Sequence, residues 1–134
     1  MGQFEMQDKS LEQTKALPAS AGSVYTTAFD LGAGTQDFLA DCEVQIVAPA
    51  LGATPLPNSE TMKYTVQHSS DNSSFTDLLP DVLTQTGAAG AGAATATQHV
   101  RLPVDVSRYV RIKATGSSSI GDCSGSSVTA RIVT

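Results

Sequence analysis

Catalytic and metal sites are most often built from histidine, cysteine and carboxylate, and this chain is poor in the first two. His68 and His99 are the only histidines, and Cys42 and Cys123 the only cysteines. A nucleophile needs a base within hydrogen-bond reach, and that base needs a third group to orient it. No Cys, Ser or carboxylate stands at a recognisable spacing from either histidine. The sequence also lacks G-x-S-x-G, H-E-x-x-H and G-x-x-x-x-G-K-[ST]. The Gly87–Gly92 tract has neither the lysine nor the strand-to-helix setting that phosphate cradling needs, so it reads as a loop. Asp71 to Asp77 places oxygen ligands at alternate positions, as a calcium loop does. It lacks the glycine and the bidentate glutamate that such a loop uses, and an Asx-rich turn is expected instead. Two cysteines do not make a disulfide framework. Free thiols are expected, with a single bridge as the alternative. No catalytic residue, cofactor or metal is therefore expected, and the chain reads as a non-enzyme.

Cations offer a second kind of chemistry. Arg101, Arg111, Lys113 and Arg131 share an outward parity on the late strands, with Tyr109 nearby. Such a stripe resembles a platform for single-stranded nucleic acid, but one aromatic is too few for stacking along a strand. The net charge of −5 also argues against a nucleic-acid partner. An interprotein contact through Arg101, Tyr109, Arg111 and Lys113 is expected before nucleic acid, with a plain solvated surface as the alternative. Charge is unevenly spread. Residues 1–94 carry three lysines against eleven acids, a net of about −8, and residues 95–134 carry five cations against two acids, about +3. This asymmetry permits head-to-tail contact between copies or contact with an acidic neighbour.

Short strands must position these groups. Tyr25, Thr27, Phe29 and Leu31 alternate onto one face, and Cys42, Val44, Ile46 and Ala48 form another stripe. Pro49 to Asn58 holds three prolines and a glycine, which makes it a loop or edge segment. Met62, Tyr64, Val66 and His68 share an inward face, opposite Thr61, Lys63, Thr65 and Gln67. Ser69 to Ser74 is turn chemistry. Phe75, Leu78, Leu79, Val82 and Leu83 are expected to pin a longer connection. Gly87 to Ala94 is expected to be a flexible or closely packed surface loop. Three inward stripes follow: Ala96, Val100 and Leu102, then Val110, Ile112 and Ala114, then Val128, Ala130 and Ile132. Between the last two, Ser117–Ser127 reads as a Ser/Gly loop containing Cys123.

Six or more short strands with turns between them and almost no helix imply an all-β sandwich or jelly roll. The length of 134 residues favours one domain, and 40% hydrophobic residues suffice for one modest core. Aromatics are only 5%, with no Trp, so Val, Ile, Leu and Ala must fill that core. Residues 1–20 read as an arm preceding a sandwich over 21–134. Phe4, Met6, Leu11 and Leu17 are its spaced apolar anchors for a partner. A short helix is expected around Asp8–Ala16, capped by Asp8 or Ser10 and ended by Pro18. No apolar run reaches the roughly 20 residues that span a bilayer, so no membrane partner is expected. Met1 to Lys15 is polar without an apolar h-region, so no secretory signal is expected.

Two segments together resemble a known family. Tyr64-Thr65-Val66-Gln67-His68-Ser69-Ser70-Asp71-Asn72-Ser73-Ser74-Phe75-Thr76-Asp77-Leu78 is similar to the "strand, then S-D-(D/N)-x-x-F" stretch of capsid cement (decoration) proteins of tailed bacteriophages. Arg101-Leu102-Pro103, followed by Ser107-Arg108-Tyr109-Val110-Arg111-Ile112, resembles their "L-P … R-Y-(V/L)-R-(I/L)" pair of strands. Phe29-Asp30-Leu31-Gly32 is similar to their opening turn. The likeness covers roughly residues 24–134 and extends to the cement proteins of short-tailed phages such as the Bordetella phage. It implies a jelly-roll-like antiparallel β-sandwich on the outer capsid surface of a virion, made in the host bacterial cytoplasm. The implied partner is the phage major capsid protein, with neighbouring subunits bridged, commonly as a homo-oligomer, a dimer before a trimer. Phe75 and Tyr109 are packing residues in that family. The same segments also resemble discoidin-like carbohydrate-binding sandwiches, which makes host-glycan binding the alternative.

Overall fold

Apolar residues at every second position bury one side of the central strands, and the chain closes two such surfaces on each other. The structure, a computed structural model, describes residues 12–31, 43–103 and 105–133. Its strands are β1 (Glu12–Ala16), β2 (Gly22–Tyr25), β3 (Phe29–Asp30), β4 (Glu43–Ala48), β5 (Thr61–Ser69), β6 (Thr76–Thr86), β7 (Ala96–Arg101), β8 (Tyr109–Gly116) and β9 (Ser127–Val133). Antiparallel pairing is nested around the middle of the chain. β6 returns on β5, β7 on β4, β8 on β2 and β3, and β9 on β1. This long hairpin is rolled so that β9 also pairs with β4, and β8 with β5. The result is sheet A, ordered β1-β9-β4-β7, against sheet B, ordered β2-β8-β5-β6 with β3 also on β8. Counting β2 and β3 as one interrupted strand, this is the eight-stranded jelly roll that the sequence pattern implies.

The core lies between the sheets. Sheet A contributes Val44, Ile46, Ala48, Val128, Ala130 and Ile132. Sheet B contributes Met62, Tyr64, Val66, Val110, Ile112 and Ala114. The inward stripes of β5, β8 and β9 thus stand as expected. Buried polar groups are bonded, as an interior requires. The Tyr64 hydroxyl donates to Gln85 Oε1 at 2.7 Å, and Gln85 Nε2 donates to the carbonyls of Pro49 and Ala94. That glutamine ties β6 to the two irregular loops. Gly92 is required there: its φ is +66°, and a Cβ would stand 1.9 Å from the Leu51 carbonyl oxygen. The two glycines Gly87 and Gly92 of the Gly/Ala tract are closely packed, and residues 88–91 between them are exposed.

Several expectations need correction. Residues 12–16 form a strand, not a helix or part of an arm. Glu12 and Thr14 face Arg131 and Thr129 in register across the β1–β9 pair. Leu17 is 2% exposed and belongs to this chain's own core, so it is no anchor for a partner. It follows β1 directly, where the chain leaves sheet A, and its N–H bonds the Ser126 carbonyl. The sandwich therefore takes in residues assigned to the arm. Phe4, Met6 and Leu11 lie outside the described residues, as does Cys42. Phe75 to Leu83 leads into a full strand, β6, rather than a connection. Leu79 and Leu83 face Val66 and Tyr64, and the register shifts near Val66. Pro80 and the positive φ of Asp81 (51°) interrupt that strand on the open edge of sheet B, where such breaks discourage pairing with other chains.

Candidate functional site

The outer face of sheet B carries the most organised polar chemistry among the described residues. Its centre is β8, where Tyr109, Arg111 and Lys113 alternate with the buried Val110, Ile112 and Ala114. In register on β5 stand Ser69, Gln67 and Thr65. These three are outward by parity yet buried, Gln67 at 6% exposure. Long side chains from both neighbours close over them.

Arg111 is held from three directions. Its Nε donates to Gln67 Oε1 at 2.8 Å. The guanidinium carbon lies 4.1 Å from the Tyr25 ring centroid and 3.9 Å from that of Phe75. Tyr25 comes from β2 on one side of β8, and Phe75 from the approach to β6 on the other. Cation–π attraction and stacking favour this placement. Partial burial lowers the Arg111 guanidinium from its usual value and the Tyr25 hydroxyl opposes that, but the group stays charged.

The network continues toward the sheet edge. Gln67 Nε2 donates to Asp77 Oδ1 at 2.9 Å, and Lys113 Nζ donates to the same oxygen at 3.3 Å. The Gln67 amide, and after it Lys113, hold the Asp77 carboxyl below the usual carboxylate range. Thr65 Oγ1 accepts the N–H of Asp81 at 3.1 Å, which fastens the β6 irregularity to β5. Beyond β5, Asp71 Oδ1 accepts from Ser69 Oγ and from the N–H groups of Ser73 and Ser74. This is the Asx-rich turn expected for the stretch, with Asn72 at a φ of 60°. Those bonds hold the Asp71 carboxyl below its ordinary value, the Ser74 N–H most strongly.

The expected partner residues divide. Tyr109, Arg111 and Lys113 fall on one column of sheet B. Arg101 and Arg131 lie on sheet A, on the opposite side of the molecule, so the four-cation stripe does not form. Outward parity on separate strands does not say which sheet a strand joins. Arg131 pairs with Glu12 across β1 and β9. Arg108, one residue before Tyr109, forms a two-pronged contact with Asp30 at 2.7 and 3.0 Å and covers the Tyr109 ring.

Tyr25 is the residue sequence parity misplaced. Alternation puts it on one face with Phe29, but Tyr25 is 41% exposed while Phe29 is buried. Tyr25 faces Lys113 and Phe29 faces Val110, so four steps on one strand match three on the other. One extra residue flips the parity. Thr26 seals the break: its N–H donates to the Ile112 carbonyl and its hydroxyl accepts the Ile112 N–H.

The histidines stay apart. His68 Nδ1 accepts the Ser107 N–H at 3.1 Å, and exposed His99 lies 3.6 Å from Glu43. Cys123 is a buried free thiol that burial pushes up, its Sγ 3.4 Å from the Pro55 carbonyl. Among the described residues no group of three or more His, Cys, Asp or Glu is placed to hold a metal ion. Nor is any helix long and apolar enough to cross a membrane, which says nothing of strands that might do so in a barrel.

No family model matches the chain, and no curated protein matches it. Among solved structures it is similar to a chain of infectious bursal disease virus, Gt strain, at 13% identity and a TM-score of 0.41, over 90% of this chain and 28% of that one. It is similar to the C-terminal family 22 carbohydrate-binding module of a Clostridium thermocellum protein at 10% identity and a TM-score of 0.41, over 94% and 85%. A CBM4 structure aligns at 13% identity and a TM-score of 0.32, over 90% and 55%.

Proposed function

We propose that this chain acts by binding rather than by turnover, as a structural protein on the outer surface of a phage capsid. In this reading it is a cement protein that bridges neighbouring subunits of the major capsid shell. The observation that carries the reading is the outer face of sheet B. Tyr25, Phe75, Arg111, Gln67, Asp77 and Lys113 form a pre-assembled aromatic and polar surface. Arg and Tyr of this kind anchor protein interfaces, and side chains already held in place lose little freedom on docking.

A cement protein adds interface that must be lost before two subunits can part, and so stabilises the assembled state by mass action. Many modest contacts on a symmetric lattice reinforce one another through effective concentration. Self-association as a dimer would add a second grip. Phe4, Met6 and Leu11 remain proposed anchors to a neighbour.

The test is co-sedimentation with undecorated phage capsids, followed against capsid concentration. Saturation at a fixed ratio to the major capsid protein, with a more heat-resistant shell, is the expected result. Absence of binding overturns the reading. A second reading, glycan binding from the virion surface, is favoured by exposed Tyr25, whose ring could stack on a sugar. Retention on a glycan array without capsid binding would replace the first reading with the second.

A further inference from the structure

We infer that Arg111 is a carboxylate-binding point, and that the partner of the sheet B face presents an Asp or Glu side chain to it. This rests on the reading of that face as the partner face, and adds the chemistry of what docks there.

The argument begins with which donors Arg111 has left. Guanidinium offers five N–H donors in a rigid plane. One, on Nε, is used by Gln67. The ring centroids of Tyr25 and Phe75 lie 4.1 and 3.9 Å from the guanidinium carbon. Among the described residues neither Nη group has a hydrogen-bond partner. A planar fork with both Nη groups unbonded suits two parallel bonds to one carboxylate.

Charge points the same way. Arg111 is partly buried, yet no carboxylate among the described residues forms an ion pair with it. The nearest acid in the network, Asp77, accepts from Gln67 and Lys113 instead. Arg108, Lys113 and Arg131 each pair with an acid of this chain. A partly buried cation with no ion pair in its own chain is a place where a partner's anion can dock. Asp77 and Asp81 stand on the same face. They disfavour a dense polyanion such as a nucleic-acid backbone, but leave room for a single carboxylate at Arg111.

The experiment follows the Arg111 Nε–H resonance of the full chain at low ionic strength. The probes are a short glutamate-rich peptide, its glutamine counterpart and inorganic phosphate. The glutamate peptide should move the resonance saturably, with the glutamine peptide inert and phosphate clearly weaker. Arg111→Lys keeps the charge but loses the fork, and should weaken peptide binding by about tenfold, read from β8 backbone amides. Tyr25→Ala removes one clamping ring at the surface and should also weaken binding, which keeps the test open if Arg111→Lys folds poorly. No saturable shift, an equal shift with phosphate, or full binding by both variants overturns the inference. Capsid co-sedimentation separates the two levels. If Arg111→Lys decorates capsids as well as the parent, the inference fails while the capsid reading stands. If the peptide binds at Arg111 but the parent does not decorate capsids, the capsid reading fails alone.

Discussion

The two outer faces of the sandwich obey the same alternation but reach different states. On sheet A, the outward residues include Glu12, Thr14, Glu43, Gln45, His99, Thr129 and Arg131. They make isolated pairs across strands, such as Glu12 with Arg131 and Thr14 with Thr129, open to solvent. On sheet B, the outward Thr65, Gln67 and Ser69 are buried, and every side chain around Gln67 is bonded to another. The difference has a physical cause. Sheet B carries the rings of Tyr25 and Phe75 against Arg111, and the Asp77 side chain of its edge strand bonds Gln67. Sheet A is bounded by β1 and β7, whose side chains are short, polar or exposed. Lys15 even points toward the core side at the rim, since it faces Val128, a device that keeps an edge strand from recruiting another chain. One face is therefore a solvated exterior and the other a second, polar layer of packing.

A pair of glutamines, one on each face, puts this contrast to its most demanding test. Gln67→Ala removes the group that joins Arg111 to Asp77 and leaves the partly buried Arg111 Nε without its partner, while exposed Asp77 keeps Lys113. It should cost about 1 kcal/mol. Gln45→Ala, outward on sheet A, should stay within about 0.5 kcal/mol of the parent. Urea melts of the two variants settle the comparison, and equal costs would erase it.

Acid should find the same asymmetry with a smaller effect. Asp77 and Asp71 have folded values below the unfolded ones, so each favours the folded chain when ionised. Their stabilisation is complete above the ordinary carboxylate value of about 4 and is lost as pH falls through the lower folded values. Melting temperature should be flat from neutral pH to about 5 and fall below about 4. Amide exchange in acid should rise around the β5–β6 turn before it rises in β4 and β9. The Asp71→Asn, Asp77→Asn double variant should flatten that limb. Exchange that rises in both sheets together would count against a distinct sheet B layer.

How much of this was legible beforehand depended on whether period two ran unbroken. In β5, β8 and β9 it does, and the apolar core residues of these strands stand where alternation puts them. In β6 the pairs Leu78-Leu79 and Val82-Leu83 flank Pro80-Asp81 and a register shift. The period resets there, and the strand resembled a connection. The extra residue between Tyr25 and Phe29 inverted the face of one clamping ring. β1 has no apolar alternation at all, because it is an edge strand whose inward positions, Gln13 and Lys15, sit at the rim. Its membership of sheet A comes from backbone pairing with β9. Arg111 and Lys113 were legible as outward cations. That Gln67 is buried was not, because parity reports direction and not what lies above.

The smallest expected effect is at the Glu12–Arg131 pair, and it tests the sheet A side of the comparison. Both side chains are more than a third exposed, at 37% and 48%. Water screens such a pair, and ordering two long side chains offsets most of the attraction. Glu12→Gln should therefore change stability by no more than about 0.5 kcal/mol, and added salt should remove the difference. β1 keeps its backbone ladder in that variant, so a thermal melt reads the ion pair and not the strand. A cost well above about 1 kcal/mol would mean that sheet A's exterior is organised beyond its visible pairs. The two faces would then differ in degree only, and the case for sheet B as the docking side would rest on Arg111 alone.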